Sequence, residues 1–383
     1  MKVYLDNSAT TRPSEAVRAR VMRAMESGWY NPSALYQPAL EIQKEMASVR
    51  EAVLNAAGAE GQKVIFTSGG TEADNLALLG CMQGWRKPGR VLISSVEHPA
   101  VSACREALER MGHRVEEIPA GPGGAADCGA LENMLDGDVA LIAVMQVNNE
   151  TGAAEPLETI SALRNRICPD AWFHADGVQG FLRMPVRFNR LGLQSYALSA
   201  HKIHGLKGTG ALILRRDCKV RPILFGGGQE ENLRSGTENT FGILALGEAV
   251  RSWDPGACDR MRRLRDLLES LVKEAIPGAV INSPTDREDA CAPHILNAAF
   301  PPVRSQTMLF ALEGDGILVS AGSACASRKQ KISPVLRAMG VPVSVADCSL
   351  RFSLSPDTTE EEIRYTAERL SAQYEMLKKY TRR

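Results

Sequence analysis

The chain has 383 residues, 44% of them hydrophobic, and its 45 Lys and Arg residues balance 45 Asp and Glu residues. This length and composition are typical of a soluble globular protein with two domains. Because the charges balance, they produce no extended electrostatic field of one sign, and we expect no direct nucleic-acid partner and no membrane partner. The longest apolar run, at 139–147, is too short to span a bilayer, and the first residues form no apolar signal region. The expected compartment is the cytoplasm.

The number and spacing of the cysteines limit the kinds of site that can be expected. Nine of them are spread along the chain, without a C-x-x-C pair and without clustering with histidine. This pattern argues against a zinc site and against a disulfide framework. Most are expected to be small buried apolar residues. We therefore expect no metal site, and a reactive cysteine has to be identified from its surroundings.

Short apolar segments alternate with helical patterns over the first two thirds of the chain. Ile42, Met46, Val49 and Val53 predict a helix that Gly58 ends. Several strand-like segments are hydrophobic throughout, as expected for strands covered on both faces. The predicted strands are "KVIFTS" (63–68), "RVLISS" (90–95), "HRVEEI" (113–118), "VALIAVMQV" (139–147), "WFHADG" (172–177), "SYALSA" (195–200) and "GALILRR" (210–216). This alternation predicts an α/β fold with a mostly parallel sheet and crossover helices.

The composition changes near residues 252–257. Beyond this point strand-like segments are fewer, and the last helix is predicted to open with a capping box from Thr359 to Glu362. A long amphipathic helix is predicted from apolar spacing at Met261, Leu264, Leu268, Leu271 and Val272. We expect a large α/β domain over 1–255 and a smaller α+β domain over 256–383. The extended N-terminal segment can pack with either.

The turn after the strand at 63–68 carries Gly70 and Thr71 in "TSGGTEADN". Backbone N–H groups at a helix start, together with the Thr71 hydroxyl, form an anion site. The turn has neither a Walker lysine nor a G-x-G-x-x-G pattern, so ATP and NAD are poorly supported. Because many α/β proteins have glycine-rich turns at this point, the motif alone does not establish a phosphate site.

Three other predicted strands are followed by polar side chains: His98, Asp176 with Gln179, and Lys202. Taken singly, they are also compatible with a structural histidine, a helix-capping aspartate and a solvated lysine loop. Taken together with the anion site, they fit a metal poorly, because lysine is a poor ligand. They suit pyridoxal phosphate, which needs a phosphate cradle, a lysine for its Schiff base and an acidic partner for its ring nitrogen.

The chain resembles the cysteine desulfurases of the NifS/IscS-like branch of the class V aminotransferases. The resemblance extends almost end to end, through "YLDNSATT", "NPSALY", "TSGGTEADN", "VEHPAV", "VNNETG", "HADGVQ", "SAHKIHGLKGTGAL", "RSGTEN", "SAGSACAS" and "RFSLS". It implies the PLP-dependent transferase fold (fold type I), with a large PLP-binding α/β domain and a small α+β domain that carries the catalytic cysteine. It also implies pyridoxal 5'-phosphate as cofactor and a homodimer.

The resemblance also implies roles for single residues. Lys202 would form the Schiff base, His98 would stack on the pyridine ring, and Asp176 would pair with the ring nitrogen. Gln179 and Asn149 would lie near the ring oxygen, and Asn149 would also contact the substrate. The residues implied to hold the phosphate are Gly70, Thr71, Ser199 and His201, with Thr237 of the neighbouring subunit.

Two more residues complete the implied chemistry. Arg351 matches the arginine that binds the substrate carboxylate, a role that suits its planar fork, although a strand-edge surface arginine is the alternative. Cys325 matches the cysteine whose thiolate takes sulfur from the substrate. The implied reaction converts L-cysteine to L-alanine and leaves a persulfide on Cys325. Lys202 would be the base at the substrate Cα, and His98 is a candidate acid–base at the sulfur.

The expected partners are L-cysteine and a sulfur-acceptor or iron–sulfur scaffold protein, in cluster assembly or thiolation. The alternatives are a selenocysteine lyase or another PLP β-lyase, and a sulfur-relay or scaffold subunit. Two features depart from the family pattern. Tyr36 ends the "NPSSxH" element, and a basic run follows the cysteine at Arg328, Lys329 and Lys331. These departures bear on substrate preference and partner choice.

Overall fold

The computed structural model describes residues 1–85, 87–322 and 332–380. Its strands are β1 (Val3–Tyr4), β2 (Lys63–Thr67), β3 (Arg90–Ser94), β4 (Arg114–Ile118), β5 (Val139–Ala143), β6 (Trp172–Asp176), β7 (Ser195–Ser199), β8 (Gly210–Leu214), β9 (Val280–Ile281), β10 (Ile295–Ala299), β11 (Ile317–Leu318) and β12 (Ser349–Ser353). Its helices are α1 (Glu15–Ser27), α2 (Gln37–Ala56), α3 (Gly70–Met82), α4 (Pro99–Ser102), α5 (Arg105–Arg110), α6 (Cys128–Met134), α7 (Leu157–Ile167), α8 (Phe188–Leu191), α9 (Thr240–Arg251), α10 (Ala257–Ala275), α11 (Ser305–Gly314), α12 (Pro334–Ala338), α13 (Val343–Ala346) and α14 (Glu360–Leu377).

The seven apolar segments predicted as strands form one seven-stranded sheet, in the order β2-β8-β7-β6-β5-β3-β4. Strand β8 runs antiparallel to β2 and β7, while the pairs from β7 through β4 are parallel. The predicted α/β fold with a mostly parallel sheet is therefore confirmed. Strands β5 to β8 are buried along their whole length, which explains why their sequences are apolar throughout.

Helices cover both faces of this sheet. Neighbouring residues of one strand belong to different cores: Phe66 packs in the core that also contains α1, α2 and α9, and Ile65 packs in the core that contains α3. Successive side chains of a strand point to opposite faces, so this alternation places apolar layers on both sides. The loops at the carboxyl ends of the parallel strands are left to form a site.

A second, smaller sheet has the antiparallel order β12-β10-β9 and packs against α10, α11 and α14 around its own core. The N-terminal segment contributes Val3 and Leu5 to this core. Strand β1 pairs in parallel with β11, and Asp6 forms a bridge with Ser353 of β12. The segment then crosses to the large sheet, where Thr11 N donates to the carbonyl oxygen of His201 at 2.9 Å.

Two predicted helix boundaries agree with the structure. Helix α2 ends at Ala56, two residues before Gly58, whose φ of 58° is in the left-handed region. Helix α14 begins with the predicted capping box: Thr359 Oγ1 accepts from Glu362 N, and the Glu362 carboxylate accepts from Thr359 N. No helix in the described ranges is both long and apolar enough to cross a membrane.

Candidate active site

A cavity of about 260 Å³ opens at the carboxyl ends of β3, β5, β6 and β7. This is the edge at which open α/β sheets bind ligands. Most of the residues implied by the family resemblance line it: Gly70, Thr71, His98, Asn149, Asp176, Gln179, Ser199, His201, Lys202 and Arg351. Arg351 comes from β12 of the smaller sheet, so both sheets contribute to one cavity.

Some predicted residues are not brought to this cavity. Thr237 is exposed and does not line it. Cys325 lies outside the described residues, as do the basic residues Arg328, Lys329 and Lys331. Each cysteine within the described ranges has a free thiol. Across the same ranges, no group of three or more His, Cys, Asp or Glu side chains is arranged to hold a metal ion.

Lys202 ends a 3-10 turn, Ala200–Lys202, that directly follows β7. Its Nζ donates to the carbonyl oxygens of Ser8 at 2.6 Å and Ala9 at 2.8 Å. Burial, followed by the positive charge of Arg351, lowers the pKa of Lys202 to about 8. An appreciable fraction of this amine is therefore neutral near neutral pH, and a neutral amine is a nucleophile and a base.

Asp176 is the last residue of β6 and is buried. Its Oδ1 accepts a hydrogen bond from Val178 N at 2.8 Å. Burial and the nearby carboxyl of Asp74 raise the pKa of Asp176 to about 7, against the lowering effect of the Val178 hydrogen bond. A cationic group in the cavity would favour the ionised form of this carboxyl.

His98 is the N-cap residue of α4, where its Nδ1 accepts from Ala100 N at 3.1 Å. A neutral imidazole that accepts at Nδ1 carries its proton on Nε2. Burial, followed by the charge of Lys202, lowers the pKa of His98 to about 4. The ring is therefore neutral at physiological pH, with a donor at Nε2.

One end of the cavity collects donors around the start of α3. The first N–H groups of a helix have no partner within the helix, and α3 begins at Gly70. A Cβ on Gly70 would lie 2.5 Å from Val178 Cγ2, so the close packing at this point requires glycine. Ser199 Oγ is buried and has no hydrogen-bond partner among the described residues, and His201 Nδ1 is 3.1 Å from Thr10 Oγ1. These groups suit an anion.

Arg351 is 1% exposed, and its Nη2 lies 2.7 Å from Oδ1 of Asp6. Its Nη1 donates to the carbonyl oxygen of Asn149 at 2.7 Å. The Nε atom is buried and has no partner in the described part of the chain. A guanidinium carries several N–H groups, so Arg351, which lines the cavity, retains donors with which a carboxylate could be bound.

Several cavity residues were not singled out from the sequence. Ser8 and Asp74 line the cavity, and both lie inside quoted motifs that could have pointed to them. Ser8 O also accepts from Gln179 Nε2 at 2.9 Å. His294 is buried behind Gln179, with Nε2 at 3.3 Å from Gln179 Oε1. No sequence motif marks His294.

Known proteins resemble this chain in sequence and in fold. Residues 3–365 match the family model "Aminotransferase class-V". The chain is 35% identical to cysteine desulfurase IscS of Dictyoglomus turgidum, over 98% of this chain and 95% of the relative. It is 35% identical to cysteine desulfurase NifS of Azotobacter vinelandii, over 94% of this chain and 90% of the relative. A solved NifS-like protein superimposes with a TM-score of 0.91 at 31% identity, covering 98% of this chain and 100% of that one.

The fold and the matches define a class-V aminotransferase. The chain belongs to that family, in its NifS/IscS-like cysteine desulfurase branch.

Proposed function

We propose that this protein is a pyridoxal-phosphate-dependent cysteine desulfurase that converts L-cysteine to L-alanine and passes the sulfur on through Cys325. One observation carries the proposal: a single cavity contains the Lys202 amine, the Asp176 carboxyl, an end rich in anion-binding donors and the Arg351 guanidinium. Each of these groups has a separate task in the chemistry of an amino-acid substrate.

The residues of the cavity fit pyridoxal phosphate. Ser199 Oγ, which has no hydrogen-bond partner in the described residues, and the start of α3 match its phosphate. The lowered pKa of Lys202 matches an amine that binds an aldehyde. Lys202 would hold the cofactor covalently through Nζ, Asp176 would face its ring nitrogen, and His98 would lie against its ring. Gln179 and Asn149 would lie near the ring oxygen, and the phosphate would be held by Gly70, Thr71, Ser199 and His201. When bound, the cofactor withdraws electrons from the substrate Cα and stabilises negative charge there.

Arg351 would bind the substrate carboxylate, with Asn149 beside it. The contacts with Asp6 and the Asn149 carbonyl hold the guanidinium plane, so little side-chain freedom is lost when the substrate arrives. The carboxylate would take N–H donors of the guanidinium that these two contacts leave unused. This contact orients the substrate Cα towards Lys202.

Two groups would move protons. Lys202 Nζ, once released from the cofactor, would accept the proton from the substrate Cα, which suits a pKa of about 8. His98 is the candidate acid–base at the substrate sulfur; in its neutral form the proton is on Nε2, so that atom would face the sulfur as a donor. The two residues line the same cavity, so they can act on one substrate.

The sulfur step is assigned to Cys325 on the resemblance of "SAGSACAS". Its thiolate would attack the substrate sulfur, so that an S–S bond forms as the C–S bond breaks and the bonding electrons stay with the carbon fragment, which is protonated to alanine. The persulfide would then pass to a thiol of an acceptor or an iron–sulfur scaffold protein. We further propose a cytoplasmic homodimer in which Thr237 reaches the phosphate of the neighbouring subunit.

Replacing the proposed nucleophile tests this function. Cys325→Ser should retain the cofactor absorption and its change on cysteine binding, but should form no persulfide and almost no alanine, because sulfur is attacked by the thiolate and is not simply expelled. Alanine can be measured by chromatography, and persulfide by mass spectrometry. The matched control is Cys128→Ser, at a half-buried cysteine that does not line the cavity, and it should turn over normally.

The same variant separates the alternatives. Alanine release from cysteine at the native rate by Cys325→Ser would refute the desulfurase mechanism and favour a β-lyase. Selenium leaves more readily than sulfur, so the variant should retain more activity towards selenocysteine than towards cysteine. If the purified protein does not bind pyridoxal phosphate, a role as a sulfur-relay or scaffold subunit would be favoured.

A further inference from the structure

Behind the cavity, four buried polar side chains form a continuous line of hydrogen bonds. Asp74 of α3 is 1% exposed, and its Oδ1 is 3.1 Å from Nε2 of the fully buried His174 on β6. His174 Nδ1 is 2.9 Å from Ser195 Oγ on β7, and Trp172 Nε1 donates to the same oxygen at 2.8 Å. The line ends at Asp74, which is also part of the cavity wall.

Asp74 shares this wall with Asp176. Two ionised carboxylates in one desolvated site repel each other, which favours a state in which one of them is protonated. Val178 N–H donates to Asp176, and the positive charge of Lys202 acts on the same carboxyl. Both effects favour the anion on Asp176.

Asp74 lacks this support. Its Oδ2 is buried and has no partner among the described residues, and no backbone N–H in them donates to its carboxyl. Glu97 is also buried, and burial followed by the charge of Asp176 raises the pKa of its carboxyl well above the usual value. Burial raises the pKa of Asp74 well above its usual value and lowers the pKa of His174 to about 4. The favoured state has neutral His174 accepting at Nε2 from a protonated Asp74.

We propose that Asp74 is a positioning residue that holds a proton, donates it in a hydrogen bond to His174 Nε2, and so confines the negative charge of the buried pair to Asp176. This inference rests on the proposed function, in which Asp176 faces the ring nitrogen of the cofactor. A charge kept on Asp176 stabilises a protonated ring nitrogen. A charge shared with Asp74 would be displaced towards the sheet.

Asp74→Asn tests the proposal, because asparagine has the shape of aspartate and is always neutral. The infrared difference spectrum between wild type and variant, recorded with and without cofactor, should show the loss of one protonated-carboxyl C=O band that shifts in D₂O. It should show no loss of an ionised-carboxylate band. If Asp74 were ionised and its charge shifted the pKa of the ring nitrogen by one unit, removing that charge would change cofactor affinity about tenfold. Because the proposal makes Asp74 neutral, the affinity of Asp74→Asn should change much less than this.

Glu155→Gln is the matched control. Glu155 is another buried acid, with its pKa raised to about 8 by burial, but it does not line the cavity. This variant should lose a protonated band while cofactor affinity stays unchanged. His174→Gln is a second variant, because a glutamine oxygen can accept the same hydrogen bond from Asp74. In it the Asp74 band should be kept at a shifted frequency.

Loss of a carboxylate band alone in Asp74→Asn, or a tenfold drop in cofactor affinity, would overturn the proposal. So would the absence of the Asp74 band from His174→Gln. The spectrum of the cofactor-free protein reports on Asp74 even if the protein binds no pyridoxal phosphate. Failure of the proposed function is therefore distinguishable from failure of this inference.

Discussion

Lys202 and Lys207 lie in the same glycine-rich turn but in different surroundings. Lys202 lines the cavity and donates to two carbonyl oxygens, whereas Lys207 is exposed. His204, between them, donates from Nδ1 to the carbonyl oxygen of Arg12 and anchors the turn to the N-terminal segment. Lys202, His204 and Lys207 thus have three different roles: a cavity amine, an anchor and a solvated side chain.

This difference leads to a prediction about covalent cofactor binding. Lys202→Ala should abolish the visible absorption of the lysine-bound cofactor and the cofactor–peptide adduct recovered after borohydride reduction. Lys207→Ala, the matched control, should retain both. Loss of the absorption in Lys207→Ala, with Lys202 intact, would contradict the assignment.

The pKa of Lys202 gives a prediction about pH. Only the neutral amine attacks an aldehyde, so the rate at which cofactor-free protein recombines with pyridoxal phosphate should rise with pH and level off above about pH 8. An ordinary lysine would place this midpoint near 10.5. Arg351→Gln removes a nearby positive charge and should move the midpoint upward. Stopped-flow absorbance measures the rate, and an unshifted midpoint near 10.5 would contradict the burial argument.

The candidate site residues at strand ends were predictable because a polar side chain directly after an apolar strand is visible in the sequence. Asp176 and Lys202 are of this kind. Asp74 and His294 were not predicted, because they are buried in the fold and acquire their contacts only through tertiary packing. Sequence spacing does not show that Asp74 meets a histidine one hundred positions away.

At the scale of elements, the segment carrying Thr237 is tied to α3 by an ion pair. Arg234 Nε lies 2.8 Å from Glu72 Oε1, and Glu72 Oε2 accepts from Ser68 N at 2.8 Å. Glu72 follows Thr71 in the first turn of α3. On the other side of Thr237, Asn239 caps α9 and donates to the carbonyl oxygen of Gly208 at 3.1 Å. The exposed threonine thus lies between two anchored points.

Breaking the ion pair between Arg234 and Glu72 should lower the free energy of unfolding by an amount that depends on pH. Burial acts to raise the pKa of Glu72, but hydrogen bonds from Arg234 and Ser68 outweigh it and lower the pKa below the usual value. Glu72→Gln should therefore lower the free energy of unfolding by roughly 1 kcal/mol at neutral pH. The pKa of Glu72 is lower in the folded than in the unfolded state. The stability difference between wild type and variant is therefore present above the pKa of the unfolded state, and it disappears as pH falls through the pKa of the folded state.

The control for this measurement is Glu231→Gln. Glu231 lies in the same segment and pairs with Lys63 at 2.6 Å, but its side chain is 55% exposed. Exposed ion pairs contribute little, so this variant should remain close to wild type in urea unfolding. Equal losses in the two variants would show that the Arg234 pair has no special anchoring role.

At the scale of the molecule, the large sheet could be predicted from the sequence because most of its strands are apolar segments, several of them without a polar interruption. The two-residue strands β1 and β11 were not, since so short a segment carries no periodicity. The course of the N-terminal segment also depends on distant contacts, such as the hydrogen bond of Asn7 with the carbonyl oxygen of Ser353, 346 positions apart. The domain boundary near residue 255 stays a prediction.

The proposed role of Thr237 depends on assembly of the chain into a dimer. Thr237 is exposed and lies away from the cavity of its own chain, so its proposed role requires a second copy. In a two-fold symmetric dimer, each site would combine Lys202 of one chain with Thr237 of the other. Thr237→Ala and Lys202→Ala chains produced together would then form mixed dimers in which one site is intact and the other lacks both residues.

Random pairing of equal amounts gives mixed dimers as half of the total, so about a quarter of all sites should be intact, as a two-fold dimer requires. Alanine production by the co-produced chains should therefore exceed the average of the two parent variants, and the difference should vanish when the parents are kept as separate dimers. Analytical ultracentrifugation checks the assembly state of each preparation. A monomer with full activity at high dilution would contradict the shared site, because Thr237 would then have no neighbouring phosphate to reach.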